Sequence, residues 1–316
     1  MTPKCTTIRT LFSSIGAITA AALFATTSAA NADILYVSNR NANTIDKITS
    51  GGTVSLFGST GLSAPYGLAF DTAGNLYASS NGNNTIEKFN SSGVGTAFTT
   101  SGGTAPRGLA FDNSGNLYET SITSNDVLKI TPAGGVSVFA GTGGLSNPYG
   151  LAFNSTGSLF VSNQGNSTIE KYSSAGVDLG LFASTGLNQP VSLAFDSAGN
   201  LFASNSGDNT IEKFTPGGTG SLFATLSGVY GLAFDSADNL YAASNSGSLI
   251  EEYTPAGVGS VFATGVNTPD YLAFTNNAGV PLPLANQMPE PSAWLSMVGG
   301  LGMLAGFKRF GRKRQA

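Results

Sequence analysis

The chain has 316 residues, 42 of them glycine, with 10% charged side chains, no histidine and a single cysteine, Cys5. The missing histidine removes the commonest general base and the commonest zinc ligand, and one cysteine excludes an internal disulfide framework. From Asp33 to Pro283 there are 7 basic and 17 acidic side chains, a net charge of −10, which disfavours nucleic acid and anionic membranes as partners.

Lys4 and Arg9 precede an apolar, alanine-rich stretch from Leu11 to Phe24, and Ala30-Asn31-Ala32 follows as a small-x-small cleavage site. This order predicts a secretory signal peptide over 1–32, with a mature chain starting near Asp33. The apolar stretch is short for a membrane anchor. Cys5 lies before it, so it is a poor lipidation site, and the exported body has no cysteine. A body of this size can be stable by packing alone.

Six copies of one phrase follow, beginning with Gly67-Leu68-Ala69-Phe70 and ending with Tyr271-Leu272-Ala273-Phe274. Their phenylalanines are 41, 42, 42, 39 and 40 residues apart. The first complete unit predicts four short strands: Tyr66 to Phe70, Asn75 to Ser79, Thr85 to Phe89 and Val94 to Phe98. Asp71-Thr72-Ala73-Gly74 reads as a type I turn with glycine in the left-handed position, and the Asn81 to Asn84 and Ser91 to Gly93 segments read as further turns. Four antiparallel strands per repeat of this length make one β-propeller blade. Leu68 and Phe70 share one face and Gly67 and Ala69 the other, so a large face can nest against a small one.

Ile34 to Ser38, Thr44 to Ile48 and Thr53 to Phe57 form three strands with no inner strand before them. Tyr271 to Thr275 is an inner strand with nothing after it. The fold class is therefore all-β, a six-bladed propeller over 33–278 closed three-plus-one by its N- and C-terminal strands. Closure of this kind pairs the two ends and removes free sheet edges. A proline-rich linker, 279–291, carries Pro289-Glu290-Pro291. An apolar segment, 292–307, is marginal for a membrane span, and a basic tail, 308–316, would stay cytoplasmic.

The Pro-x-Gly-Leu-Ala-Phe-Asp-x-x-Gly-Asn-Leu-Tyr pattern, with Asn-Thr-Ile-Glu-Lys-Phe after it, resembles the NHL repeat and the six-bladed group of gluconolactonases and regucalcin. The resemblance runs over about residues 34–275 and implies the fold, not an activity. The tail from Pro289 onward resembles the PEP-CTERM sorting signal of Gram-negative bacteria. That resemblance implies an exosortase-type processing enzyme as partner, transient membrane anchoring through the C-terminal segment, and delivery to the cell exterior, often beside exopolysaccharide production.

Histidine-dependent propeller lyases of the peptidylglycine-processing and streptogramin-cleaving kinds resemble the repeat but are excluded by composition. Gluconolactonase-like propellers hold a divalent cation with Glu, Asn and Asp. Here the residues opening the inner strands are Tyr66, Arg107, Tyr149, Val191, Tyr230 and Asp270, with one carboxylate among them. No oxygen cage is evident, and no catalytic residue, metal or cofactor is expected. Asp71, Asp112, Asp196 and Asp235 recur at one turn position of their blades and read as turn caps. Asp238 stands where the turn glycine belongs. The asparagine-rich turns serve the backbone or a rim ligand. The pairs Glu87-Lys88, Glu170-Lys171 and Glu212-Lys213 are expected as solvated cross-strand ion pairs.

The candidate ligand-binding set is Tyr66, Arg107, Tyr149, Tyr230 and Asp270. These occupy one blade position, ring one mouth of the channel and differ from blade to blade. Tyrosine and arginine are enriched at binding hot spots; the alternative is that the tyrosines only pack against neighbouring blades. The expected role is an exported non-enzymatic propeller that binds a carbohydrate or peptide, or scaffolds, at the cell surface or in the extracellular matrix. The alternative is a metal-dependent lactonase-like hydrolase.

Overall fold

The computed structural model describes residues 33–275, apart from 103, 104 and 142. The expected signal peptide, the Pro289-Glu290-Pro291 motif, the apolar segment and the basic tail lie outside the described residues. Strands numbered in chain order form six four-stranded antiparallel sheets. The first blade contains β1 (Ile34–Asn39), β2 (Thr44–Ile48) and β3 (Val54–Gly58), and the second β4 (Pro65–Phe70), β5 (Leu76–Ser80), β6 (Thr85–Phe89) and β7 (Gly95–Thr100). The next four blades begin with inner strands β8 (Pro106–Phe111), β12 (Pro148–Phe153), β16 (Pro190–Phe195) and β20 (Val229–Phe234). The last strand, β24 (Pro269–Thr275), pairs antiparallel with β1, giving the first blade the order β24-β1-β2-β3. Each inner strand touches the next, and β24 touches β4, so the ring is closed. The chain is an all-β six-bladed propeller.

The fourth strands begin one residue later than the sequence suggests, because the preceding turns consume it. Asn90 donates its amide to the Val94 carbonyl at 3.1 Å, and Thr49 does the same to Thr53. The repeated phenylalanine stitches blades together. Tyr36 meets Phe70 edge-on at 5.1 Å, Tyr77 meets Phe111 at 5.1 Å and Tyr118 meets Phe153 at 4.9 Å. The other three blades repeat the pair. Each adds about 0.5–1.5 kcal/mol beyond the area it buries. The opposite, small face leaves no room for a side chain. A Cβ at Gly67 or Gly150 would run into the carbonyl of the next inner strand.

The repeated aspartates are turn caps. Asp71 Oδ1 accepts from the amides of Ala73 (3.0 Å) and Asn75 (2.8 Å), and Oδ2 from the Asn75 side chain (2.8 Å). Asp238 holds φ 62° in the glycine position. Asparagines of the other turns pin the next blade's loop: Asn43 Oδ1 accepts from Ala64 N at 2.7 Å and Asn84 Oδ1 from Ala105 N at 2.8 Å.

The expected Glu–Lys surface pairs are a correction. Strand alternation sends the two residues to opposite faces. Lys88 pairs with the turn aspartate Asp71 at 3.6 Å and Lys213 with Asp196 at 3.5 Å. Glu87, Glu170 and Glu212 are buried, tucked beneath Gly61, Gly144 and Gly186 of the loops between blades.

Candidate functional site

Each inner strand starts with a bulge at its second and third residues, between Pro65 and Leu68 in the second blade. The bulge turns backbone groups away from the sheet, and a hydroxyl on the neighbouring strand collects them. Ser79 Oγ accepts from Gly67 N at 2.8 Å and donates to the Arg107 carbonyl of the next blade at 2.6 Å. Thr120 joins Gly108 N to the Tyr149 carbonyl, Ser162 joins Gly150 N to that of Val191, and Ser38 joins Tyr271 N to that of Tyr66. Ser204 accepts from Ser192 N and donates to the Tyr230 carbonyl. Five hydroxyls thus fix the backbone of five mouth residues. In the sixth blade the position is Ala243 and faces the Asp270 step without a hydroxyl. The sequence signal was a serine or threonine recurring at a buried strand position, which strand propensity alone does not explain.

The five candidate residues come together at one end of the channel. Tyr66, Tyr149 and Asp270 are buried, while Arg107 and Tyr230 are half-buried. The Tyr66 and Tyr149 rings meet edge-on at 6.1 Å. Tyr271 occupies the position that is glycine or serine in the other blades. Its ring stacks on Tyr149 at 6.4 Å, and its hydroxyl donates to the Tyr149 carbonyl at 3.4 Å. Tyr149 and Tyr271 belong to opposite blades, so their rings fill the throat of the channel.

Arg40, from the turn after β1, completes the cluster and was not singled out from the sequence. Its Nε lies 3.4 Å from Asp270 Oδ2, and its Nη1 donates to Tyr66 Oη at 3.1 Å. The position just after each second strand reads Arg40, Asn81, Ile122, Gln164, Ser206 and Asn245. The single charge in that series was the available signal. Asn245 also contributes, donating to Asp270 Oδ1 at 3.0 Å. Burial pushes the Asp270 carboxyl up to about 6, against the opposing pull of Arg40, Asn245 and Arg107. Arg107 lies 3.6 Å above the Tyr66 ring centre and 5.2 Å from that of Tyr149.

Beyond the tyrosine throat the channel widens into a cavity of about 510 Å³. Its wall is the repeated Leu-Ala-Phe, and Asp235 and Asp238 lie at its far mouth. Among the described residues no three histidine, cysteine, aspartate or glutamate side chains converge as a metal site would require.

A profile of the virginiamycin B lyase family matches residues 12–252. No curated protein matches the chain. Among solved structures, a chain of the nidogen/laminin complex has a TM-score of 0.71 at 18% identity, covering 78% of this chain and 99% of that one. A catalytically inactive histidine-to-alanine variant of virginiamycin B lyase from Staphylococcus aureus, with quinupristin, has 0.56 at 20%, covering 77% and 82%. A gluconolactonase from Xanthomonas campestris has 0.57 at 20%, covering 67% and 79%. At these identities the structural likeness is one of fold.

Proposed function

The chain belongs to the virginiamycin B lyase family, and we propose that it is an exported, non-catalytic member that holds a ligand at the tyrosine-lined mouth of its channel. The observation that carries this reading is the composition of the mouth. A histidine-to-alanine change leaves a family lyase catalytically inactive, and this chain has no histidine at any position. The one carboxylate at the mouth, Asp270, is engaged by Arg40 and Asn245. What remains half-exposed is the Tyr230 ring and the Arg107 guanidinium, which suit stacking and charge recognition better than proton transfer.

The second reading is a metal-dependent lactonase-like hydrolase, favoured by the gluconolactonase likeness. Titrating calcium or magnesium into the purified protein and following its Tm separates the two. A tightly held ion raises the midpoint with concentration; a flat response supports the binding reading. The leader and the Pro-Glu-Pro tail support delivery to the exterior of a Gram-negative cell by an exosortase-type enzyme. Mass spectrometry of the native protein checks this, and an intact Met1 recovered from cytosol would end it.

A further inference from the structure

We propose that the ligand at this mouth carries a carboxylate, received by Arg107, and that its class is an acidic carbohydrate containing hexuronate units. The proposal rests on the binding reading above and narrows it.

The body carries a net charge of −10, yet both of its arginines, Arg40 and Arg107, sit at this mouth. Its five lysines lie elsewhere, on the third strands of five blades, four of them over an aromatic ring of the second strand. The mouth therefore holds two guanidiniums against a single carboxylate. Arg40 takes that carboxylate and also bonds Tyr66. Arg107 has no carboxylate. Among the described residues its Nε and Nη1 are buried without a hydrogen-bond partner; the guanidinium lies against the faces of Tyr66 and Tyr149 and feels Asp270 only as a charge at longer range, without an ion pair.

A stacked guanidinium is held flat, and with Nε and Nη1 closed off its Nη2 end is the part that can donate to an incoming carboxylate. The side chain as a whole stays half-buried, so it can be approached from the mouth. Half-buried Tyr230 stands in the same cluster and offers a ring for a pyranose to lie against. Asp270 is fully buried and neutralised by Arg40, so it opposes an incoming anion weakly. A peptide captured by strand addition needs a free sheet edge. The inner edges here face a channel whose throat Tyr149 and Tyr271 fill, and this favours the carbohydrate.

The test is calorimetric titration of the full-length protein in detergent with oligogalacturonate and with a neutral galactose oligomer of equal length. The expected result is a preference for the acidic oligomer of about 10–100-fold, the size of one charge-assisted contact. Raising salt should weaken it. Arg107→Gln should erase the preference, and Arg107→Lys, which keeps charge and bulk, should retain part of it if Arg107→Gln fails to fold. Equal affinity for both oligomers, lost in Tyr230→Ala, overturns the carboxylate and keeps the binding reading. Binding of an acidic peptide but neither sugar overturns the carbohydrate. Binding of none of the three overturns this proposal, and calcium-dependent turnover of a lactone overturns the reading beneath it.

Discussion

Along the wall of the channel the same side chains recur six times, while at its tyrosine-lined mouth no two neighbouring blades carry the same residue. The wall repeats Leu-Ala-Phe because each blade solves the same problem: a large face must meet a small face across a spacing that admits no extra atoms. The mouth is under no such constraint. Its residues stand where the backbone is already fixed by the hydroxyl belt, so their side chains were free to diverge. Repetition marks what holds the ring, and departure from it marks where the ring can acquire a specific surface.

The largest effect should come from breaking the wall. Deleting residues 269–275 removes the inner strand of the first blade and leaves β1 with an unpaired edge and Leu35 and Val37 bare. The protein should aggregate or lose its cooperative melt. A sharp transition at the unchanged temperature would refute the closure as a source of stability.

The mouth itself divides. Tyr149 is packed between Tyr66 and Tyr271, so Tyr149→Ala should cost about 3 kcal/mol as a core truncation. Tyr230 is half-buried, and Tyr230→Ala should cost less than about 1 kcal/mol while weakening ligand binding. Chemical denaturation of both variants checks the contrast. Equal losses would place Tyr230 with the packing residues.

The architecture was legible because it is written six times: strand count, turns, closure and the structural role of the aspartates all follow from the repeat. What escaped were features that need three dimensions. The acidic residue of the third strand, Asp46, Glu87, Glu170, Glu212 or Glu251, becomes Leu128 in the third blade, where the cross-strand partner is Glu119 in place of alanine or valine. The carboxylate changes strand and keeps its place beneath the loop, which a linear alignment of repeats reads as two unrelated differences. Arg40 escaped because it reaches the mouth from a different loop. The five candidate residues could be assembled from register alone, but not their division into buried and half-buried members, since that depends on Tyr271 filling the throat.

Glu119 gives this exchange a measurable consequence. It is fully buried, its Oε2 has no partner among the described residues, and burial pushes its carboxyl up to about 7 against the hydrogen bond from Ser101. Its value in the unfolded chain is about 4.3. Between those values the native state binds a proton that the unfolded state does not, so stability falls as pH rises through the window. Asp270, raised to about 6, acts in the same direction. The Tm should therefore drop from pH 5 to pH 8. Glu119→Gln should flatten the upper part of that slope and be more stable than the parent at pH 8 by about 2 kcal/mol. Parallel curves would remove Glu119 as the cause.

The smallest effect expected is also the most direct test of the repeat as a structural rule. Five blades carry a serine or threonine that joins its own inner strand to the next, and the sixth carries Ala243. The backbone around it matches the others: Ala243 pairs with Ile250 as Ser204 pairs with Ile211, and Gly231 closes on the Asp270 carbonyl as Gly150 does on that of Val191. Ala243→Ser should therefore find a donor in the Gly231 amide and an acceptor in the Asp270 carbonyl. A hydroxyl with both partners present contributes about 1 kcal/mol net, whereas one buried without partners costs about as much or more. The variant should melt a few degrees higher, by roughly 2–4 °C for a body of this size. A lower Tm would show that the sixth blade lacks the bridge because its geometry cannot accept one, and that the seam beside Asp270 differs from the other five in backbone as well as in side chain.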